Sequence, residues 1–465
     1  MTKYNDAVAY LYSLQKYGIK LGLDNTRRLL SLLGNPQGSF MSIHVAGTNG
    51  KGSTSAMIAS ILKTSGCKVG LFTSPHLVSF TERIRVDNKE ISEQEVVDLT
   101  NEIMEIVRTE SEVRSRKSEA ERAGSHELSA MSHEPFLPTF FEFVTAMGFL
   151  YFERKGVECA VVETGMGGRL DATNVLTPKV SVITSIGYDH REFLGQTIGE
   201  IAGEKAGIIK SGIPVVSSSQ EHEALKIIAG KASEKKTPLF LYGKDFLSYV
   251  KSSDVSGIKF DYEGGKRLKD LYVPLCGMHQ IENASVAVKT VELVMKEGNI
   301  SDQSVKEGLA RTKWPGRLEL IKDPGLNYDL LIDGAHNPSA SRALAEALKA
   351  FFVPFYDKVI LILGIMADKD VAGIMKPLLP LASETIFTAP GYERAASPET
   401  LAEYASEMGF APKVTHSMRE ALDLANATAK ASSLRTLTVI TGSFYTIGEA
   451  KMCLGQEGVL ARLRE

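Results

Sequence analysis

The sequence predicts an α/β protein of two domains, each with a mainly parallel sheet. Short apolar runs rich in β-branched residues alternate with helical segments along most of the 465 residues, a pattern typical of parallel strands covered by helices. Pro315 and Gly316 interrupt this alternation and divide it into two series. We therefore expect domains at 1–311 and 323–465, joined by a linker at 312–322.

In the first series, strands alternate with helices, and one glycine-rich turn joins a strand to a helix. The remaining pattern predicts a small β excursion between 239 and 275 and then a further helix. The expected strands are 42–46, 69–73, 159–163, 180–184 and 214–217, and the expected helices are about 52–64 and about 280–296.

The second series repeats the alternation after the linker. Its expected strands are 330–332, 358–363, 385–388 and 437–441.

A polar segment interrupts the first domain at 110–135. It is rich in Ser, Glu and Arg and has little apolar surface to bury. We expect a mobile surface insertion or a frayed helix, because long surface loops cost little stability.

Composition excludes several classes of protein. The 53 basic and 56 acidic residues give a net charge of −3. The overall charge therefore does not favour binding to nucleic acid or to an anionic membrane. The four cysteines are far apart and lack Cys-x-x-Cys spacing, which argues against disulfides or a cysteine zinc site. The N-terminus lacks a secretory pattern, and the apolar stretch 136–152 is too short and polar to span a bilayer. We expect a cytoplasmic protein.

The strongest local signal is Gly47-Thr48-Asn49-Gly50-Lys51-Gly52-Ser53, between a predicted strand and helix. Glycines let backbone N–H groups converge, and the helix N-terminus adds positive potential. Lys51 can pair with β- and γ-phosphates, and Ser53 can ligate Mg²⁺. The spacing departs from the usual G-x-x-x-x-G-K-[ST] motif. We predict a P-loop-type ATPase domain that binds ATP phosphates.

Several further motifs follow in order. They are Thr73-Ser74-Pro75-His76-Leu77, the run TERIRV at 81–86, the run ETGMGGRLDATN at 163–174, Tyr188-Asp189-His190, the run EKAGIIK at 204–210, the run PGRLE at 315–319 and the run DGAHNP at 333–338. This ordered set, with the glycine-rich loop, resembles the folylpolyglutamate synthase and dihydrofolate synthase family of the Mur ligase superfamily. The resemblance spans about residue 20 to the C-terminus, except for the 110–135 insertion.

The resemblance implies an ATP-dependent ligase that joins L-glutamate to folates. Such enzymes phosphorylate a substrate carboxylate with ATP, releasing ADP, and an amine then attacks the acyl phosphate. The charge on these transition states is met by metal ions, Lys and Arg. Both dihydropteroate and reduced folates are plausible acceptors, and we favour a bifunctional dihydrofolate synthase and folylpolyglutamate synthase, acting as a monomer.

The resemblance also implies metal ligands. Ser53, Ser74 and Glu142 would face one Mg²⁺, and His190 would help bind a second. Lys205 would be carbamylated, which turns a cation into an oxygen-bearing anion near the metals. Carbamylation needs the neutral amine, so the pKa of Lys205 must be lowered.

The nucleotide would lie between the P-loop-type domain and a Rossmann-like C-terminal domain. By resemblance, Arg317 reaches the phosphates, and Asp333 contacts the ribose with His336 nearby. Asn283 would contact adenine, although capping of a helix start is an alternative. Ser443 would bind the incoming glutamate or cap a helix. The implied catalytic residues are Lys51, Lys205, His190 and Arg317.

Two other functional hypotheses are alternatives to this one. Another Mur-type ligase usually carries a whole domain before its ATP loop, for which 46 residues are too few. A regulatory P-loop switch or a silent nucleotide-binding module would not need Glu142, His190 and Lys205 together.

Overall fold

The computed structural model describes residues 1–18, 22–124, 136–294, 300–322, 325–432 and 434–455. Its strands are β1 Met41–Ala46, β2 Val69–Phe72, β3 Ile84–Val86, β4 Lys89–Glu90, β5 Cys159–Glu163, β6 Val180–Ile183, β7 Val215–Ser217, β8 Leu239–Leu241, β9 Leu247–Asp254, β10 Gly257–Glu263, β11 Arg267–Val273, β12 Glu319–Ile321, β13 Asp329–Ile332, β14 Lys358–Leu363, β15 Glu384–Phe387, β16 Lys413–Val414 and β17 Thr436–Thr441.

The helices cover both sheets. They are α1 Tyr4–Ser13, α2 Asp24–Leu32, α3 Lys51–Thr64, α4 Glu93–Gly124, α5 Phe140–Arg154, α6 Arg191–Leu194, α7 Ile198–Ala206, α8 His222–Glu234, α9 His279–Val294, α10 Asp302–Ala310, α11 Pro338–Phe351, α12 Val371–Met375, α13 Pro398–Glu407, α14 Met418–Ser432 and α15 Phe444–Cys453.

The first sheet has eight strands in the order β4-β3-β2-β5-β1-β6-β7-β8. From β2 to β8 the strands are parallel. Strands β1, β5 and β6 are buried almost throughout, as expected for parallel strands covered by helices on both faces. The carboxyl ends of β2, β5, β1 and β6 therefore lie side by side at one edge.

Helix α3 is the buried helix that follows β1. Eleven of its residues are buried, and it packs against α9 and α10. The small antiparallel sheet β11-β10-β9 lies beside α9 and α10. This arrangement places the β excursion predicted for 239–275 behind the phosphate-loop helix, although β8 belongs to the main sheet.

The second sheet has the order β12-β13-β17-β14-β15-β16. All its strands are parallel except β12, which pairs antiparallel with β13. Both sheets with their helices confirm the predicted α/β class, with a P-loop-type first domain and a Rossmann-like second domain.

Two expectations from the sequence need adjustment. The predicted linker 312–322 ends in strand β12, because 319–321 joins the second sheet. In the predicted insertion 110–135, residues 110–124 continue helix α4, which agrees with the helical alternative and not with the loop, and residues 125–135 lie outside the described part of the chain. The predicted strands and helices otherwise match to within a few residues.

Among the helices that the structure describes, none combines the length and apolar character needed to cross a membrane.

Candidate active site

The candidate site forms where the loops that follow four adjacent strands converge. The phosphate loop follows β1, Ser74 follows β2, Glu163 ends β5 and Asp189 lies beyond β6. In an open parallel sheet, the crevice outside the carboxyl ends of the strands is the usual place for a ligand.

The glycines of the phosphate loop are needed where the loop touches its neighbours. Gly47 has φ 154°, and a Cβ there would collide with the Thr184 hydroxyl. Gly50 has φ 88°, and a Cβ there would lie 2.5 Å from Asn283 Oδ1. The positive φ and the close contacts both favour glycine.

The other loop residues bind the backbone and the second domain. Thr48 Oγ1 donates to the Gly187 carbonyl over 3.0 Å. Asn49 Nδ2 donates to Ser339 Oγ over 2.6 Å. Gly52 lies against the ring of Trp314. A Cβ added at Gly52 would lie 2.7 Å from the nearest ring atom of Trp314. The loop is therefore enclosed by the linker and the second domain as well as by its own sheet.

Lys51 is the first residue of helix α3, and its side chain folds back over the loop. Its Nζ donates to the carbonyls of Gly47 and Thr48 over 3.2 and 3.3 Å. The same Nζ lies 3.8 Å from Glu163 Oε1. The ammonium group thus lies inside the turn, where it can pair with phosphate oxygens.

Glu163 is a site residue that sequence reasoning missed. Its side chain is 5% exposed, and its Oε2 accepts the Ser74 backbone N–H over 3.3 Å. Burial raises its pKa to about 7, and the charge of Lys51 opposes that shift. The residue lies in a motif quoted for the family resemblance, and its position at a strand end was the signal that could have identified it.

Lys205 lies on α7, the helix predicted to begin near Ile198. It is 4% exposed, and its Nζ donates to the Gly47 carbonyl over 2.8 Å. Burial lowers its pKa to about 7, and the charge of Lys51 adds to this effect. A large fraction of this amine is therefore neutral near pH 7.

Of the residues expected to hold magnesium, Ser53 and Ser74 lie at the carboxyl edge of the first sheet, and Glu142 lies in the first turn of α5. Ser53 is buried in the first turn of α3, and Ser74 follows β2. Glu142 is buried, and its Oε2 accepts the Thr139 N–H over 2.7 Å in the capping box that starts α5. Within the described ranges, no group of three or more His, Cys, Asp or Glu side chains could hold a metal.

This donor set suits magnesium that arrives with a nucleotide. Mg²⁺ prefers oxygen ligands, keeps several waters, and is commonly held by one or two carboxylates plus substrate phosphates. The Ser53 and Ser74 hydroxyls and the buried carboxylates of Glu142 and Glu163 are oxygen donors of this kind. Their use as ligands stays a prediction.

His190 follows β6 and precedes the short helix α6, with φ 50°. Its Nε2 lies 4.0 Å from Asp189 Oδ1. Partial burial lowers its pKa to about 4, although 37% of the side chain is exposed. The charge of Asp189 opposes this shift, and the charge of Lys369 adds to it. The neutral imidazole that results is the form that can ligate a metal.

Asp333 and His336 lie beyond the end of β13 in the second domain. The Asp333 oxygens accept the N–H groups of Leu318 and Ala335, each over 2.9 Å. His336 forms a 2.8 Å hydrogen bond with the Gly334 carbonyl through Nδ1. Asp333 therefore anchors the linker, and its contact with a ribose stays a prediction.

Arg317 projects from the linker toward the phosphate loop. Its guanidinium stacks on the ring of Phe444, 4.7 Å from the ring centroid. Loss of water lowers its pKa, and the charges of Asp333 and Glu163 oppose this shift. Arg317 and Glu163 line the same small cavity, so the arginine and the phosphate loop lie at one cleft.

Two alternatives from the sequence can be compared with the structure. Asn283 does not cap a helix start, because α9 begins at His279 and Asn283 is its fifth residue. Its Nδ2 donates to Gln280 Oε1 over 3.0 Å. Ser443 does cap α15, since its Oγ accepts the Thr446 N–H over 3.0 Å. Contacts of Asn283 with adenine and of Ser443 with glutamate stay predictions.

Polar contacts cross from the first domain to the second at Asp189. Lys369 Nζ donates to Asp189 Oδ1 over 2.6 Å, His336 Nε2 lies 3.4 Å from Oδ2, and Asn337 Nδ2 donates to Oδ2 over 3.3 Å. Although burial opposes ionisation, these partners hold the pKa of Asp189 well below its usual range, with His336 contributing most.

The cleft between the phosphate loop and the linker is narrow. Its cavity of about 40 Å³ is lined by residues of both domains, which is room for about one or two water molecules. This cavity by itself is too small for a triphosphate. The lining includes Gly52, Ser74, Glu163, Trp314, Arg317 and Phe444.

Lys369 and Trp314 are further residues that sequence reasoning missed. Lys369 lies in the loop after β14, at the carboxyl edge of the second sheet. Trp314 adjoins the Pro315-Gly316 interruption. Position after a predicted strand was the available signal for Lys369, but nothing in the pattern pairs it with Asp189.

Comparisons with known proteins agree with this geometry. The Mur ligase middle domain profile matches residues 140–291, and the profile described as Mur ligase, glutamate ligase domain matches 316–444. The chain is 35% identical over 456 residues to the dihydrofolate synthase/folylpolyglutamate synthase of Bacillus subtilis, covering 97% of this chain and 99% of that protein. It is 37% identical over 461 residues to the folylpolyglutamate synthase of Lacticaseibacillus casei, with 97% and 98% covered.

The fold is also similar to a solved structure. The Mycobacterium tuberculosis folylpolyglutamate synthase complexed with ADP and AMPPCP superposes with a TM-score of 0.86 at 33% identity, covering 98% of this chain and all of that one.

Proposed function

This chain belongs to the dihydrofolate synthase and folylpolyglutamate synthase family of the Mur ligases, and from that premise we propose that it joins L-glutamate to folates at the expense of ATP. Membership rests on relatives more than 30% identical over nearly the whole length of both proteins. The reaction forms a carbon–nitrogen bond and converts ATP to ADP and phosphate.

One observation carries the proposal. Lys51 in the phosphate loop lies 3.8 Å from Glu163, and Glu163 lines the same cleft as Arg317 on the linker. A transferring phosphoryl group spreads charge over its oxygens, and positioned cations stabilise that charge. Arg317 adds a planar fork of donors that suits phosphate better than a lysine.

The chemistry follows from the poor reactivity of a carboxylate. A folate carboxylate oxygen attacks the γ-phosphorus of ATP, and the bond from that phosphorus to the β,γ-bridging oxygen breaks as ADP leaves. The amine of glutamate then attacks the acyl phosphate carbon, phosphate leaves, and the amine loses a proton. Lys51 and Arg317 hold the phosphoryl oxygens during the first step. Magnesium, when bound by Ser53, Ser74 and Glu142, adds positive charge there.

Lys205 is assigned as a carbamate in this proposal. Its buried amine, with pKa about 7, can add to CO₂, forming an N–C bond and releasing one proton. The carbamate anion would replace a buried cation with oxygen donors. With His190, it would help hold a second magnesium.

We assign both activities to the site, so that dihydropteroate and reduced folates are alternative acceptors. The bifunctional relative from Bacillus subtilis supports this assignment. A monofunctional folylpolyglutamate synthase is the alternative, and the Lacticaseibacillus casei relative is named as a folylpolyglutamate synthase.

The decisive experiment measures ADP release by the purified protein with Mg²⁺, ATP and glutamate. Dihydropteroate, tetrahydrofolate and no acceptor are compared. Release that needs both glutamate and an acceptor supports the ligase, and the pair of acceptors separates one activity from two. ADP release that does not depend on the acceptor, or no ADP release with either acceptor, overturns the proposal. Either result would favour another ligase or a nucleotide-binding module.

We further assign the protein to the cytoplasm as a monomer. All four cysteines are free thiols, which supports a reducing compartment. Light scattering of the purified protein tests the monomer, and a stable dimer at micromolar concentration would contradict it.

A further inference from the structure

One of the contacts between the two domains is made by a strongly paired carboxylate, that of Asp189. The side chain of Asp189 is only 8% exposed, and it lies in the loop after β6. An uncompensated carboxylate in such a place is costly, because little water remains to solvate it. The closed arrangement of the domains therefore needs a cation beside Asp189.

Lys369 supplies the shortest contact. Its Nζ lies 2.6 Å from Asp189 Oδ1, and its own side chain is 11% exposed. His336 Nε2 lies farther away, at 3.4 Å, with 23% of its side chain exposed. Lys369 is therefore the nearest and most buried partner of Asp189 across the cleft, and His336, which lowers the Asp189 pKa more, is the second partner.

The pair is connected to the phosphate loop through one further residue. Asn337 Nδ2 donates to Asp189 Oδ2 over 3.3 Å and to Asn49 Oδ1 over 3.0 Å. Asn337 is itself fixed, because its Oδ1 caps helix α11. Lys369, Asp189, Asn337 and Asn49 thus form a chain from the second domain to the loop.

We propose that Lys369 is a positioning residue that holds the two domains closed over the nucleotide site by neutralising Asp189. A charged pair suits a contact that must open and close. Its partners return to water when the cleft widens, and their attraction strengthens when water is excluded. The cavity of about 40 Å³ in this cleft is too small for a triphosphate, so we expect the domains to separate before ATP enters. The effect on turnover rests on the proposed function, whereas the effect on closure does not.

The test compares three variants without any ligand. Lys369→Met removes the charge at similar length, Lys369→Arg keeps the charge, and Lys376→Met changes an exposed lysine seven residues later. Closure is measured by the radius of gyration in small-angle X-ray scattering. It is also measured by the fluorescence of Trp314, the single tryptophan of the chain, which lies in the cleft.

We expect Lys369→Met to increase the radius of gyration and to shift the Trp314 emission to longer wavelength. Lys369→Arg and Lys376→Met should match the wild type. In the ligase assay, Lys369→Met should lose at least tenfold in kcat, while its Kd for ATP changes less than threefold, because Lys51 and the loop are intact.

A double variant removes a remaining ambiguity. If Lys369 acts through Asp189, then Asp189→Asn combined with Lys369→Met opens the cleft no further than Lys369→Met alone. An additive increase would overturn the proposal. An unchanged radius and emission in Lys369→Met would also overturn it, even if kcat fell, because Lys369 would then act on a substrate instead.

The outcomes separate the two proposals. An inactive wild type whose cleft opens in Lys369→Met would refute the ligase and support the closure role. If Lys369→Met does not fold, Lys369→Gln is measured in its place, and circular dichroism confirms folding before any comparison.

Discussion

Lys205 Nζ donates a 2.8 Å hydrogen bond to the Gly47 carbonyl, so the buried amine on α7 is tied to the first residue of the phosphate loop. The same amine is the proposed site of carbamylation. A change in its charge therefore acts on the loop directly.

Replacing Lys205 tests its part in catalysis. We expect Lys205→Ala to reduce kcat at least a thousandfold while ATP binding remains measurable by calorimetry, since Lys51 is unchanged. Lys226→Ala, an exposed lysine on α8, is the control and should be fully active. Wild-type activity should also fall when CO₂ and bicarbonate are removed and return when they are restored. Normal turnover by Lys205→Ala would refute the carbamate.

The pKa of Lys205 gives stability a specific pH dependence. In the unfolded chain the amine has its ordinary pKa of 10.5, and in the folded protein about 7. Between these values the unfolded state holds more protons, so wild-type stability rises with pH. Below pH 7 the buried charge costs on the order of a few kcal/mol.

Lys205→Met removes that cost. In bicarbonate-free buffer, its gain in unfolding free energy over the wild type should be largest at pH 6 and should shrink between pH 7 and 10.5. Denaturant unfolding at pH 6, 8 and 9.5 measures it, with Lys226→Met as reference. A difference that does not vary with pH would show that Lys205 has the same pKa in the folded and unfolded states.

We expect the negative charge of Glu163 to weaken phosphate binding at the loop. It is buried 3.8 Å from Lys51 Nζ, where a unit charge acts strongly because screening by water is reduced. At pH 8 and without Mg²⁺, Glu163→Gln should bind ATP at least threefold more tightly, as measured by calorimetry. Glu158→Gln, an exposed position just before β5, should not change the affinity. Weaker binding by Glu163→Gln would mean that the carboxylate supports the nucleotide instead.

Gly50→Ala tests the contact between the loop and α9. Both Gly50 (φ 88°) and Gly66 (φ 92°) would be strained by a Cβ, but only at Gly50 would the Cβ reach Asn283, whereas Gly66 faces open space. Each alanine should cost about 1 kcal/mol in stability. Only Gly50→Ala should also weaken ATP binding, by at least tenfold in Kd. Equal losses of affinity in both variants would assign the effect to backbone strain.

Arg317→Lys tests the geometry of the guanidinium. A lysine keeps the charge but loses the planar fork and the stacking on Phe444. We expect kcat to fall at least tenfold with a smaller change in KM for ATP. Arg311→Lys, an exposed arginine at the end of α10, serves as the control. Full activity in Arg317→Lys would limit the role of Arg317 to its charge.

Much of the fold follows from local pattern. The buried strands around residues 43, 161 and 182 are short and mainly apolar, and the phosphate loop lies between a strand and a helix as its glycines predict. The helix at 110–124 was harder to predict, because its polar composition hides the continuation of α4.

The site could be predicted only in part, because pairing depends on how the domains meet. Lys51 and Lys205 lie in recognisable motifs, whereas the contact between Asp189 and Lys369 joins residues 180 positions apart. Asn283 shows the opposite problem, because a helix boundary misplaced by a few residues would make an internal asparagine resemble a cap.

Arg317 lies two residues before β12, and the residues on either side of it are hydrogen-bonded to the second domain. The Gly316 carbonyl accepts the Gly334 N–H over 3.0 Å, and the Leu318 N–H donates to Asp333. The arginine therefore moves with the second domain, whereas the loop proposed to bind ATP belongs to the first. An open enzyme would hold ATP without its full set of cations, which protects the nucleotide from wasteful hydrolysis until both substrates are enclosed.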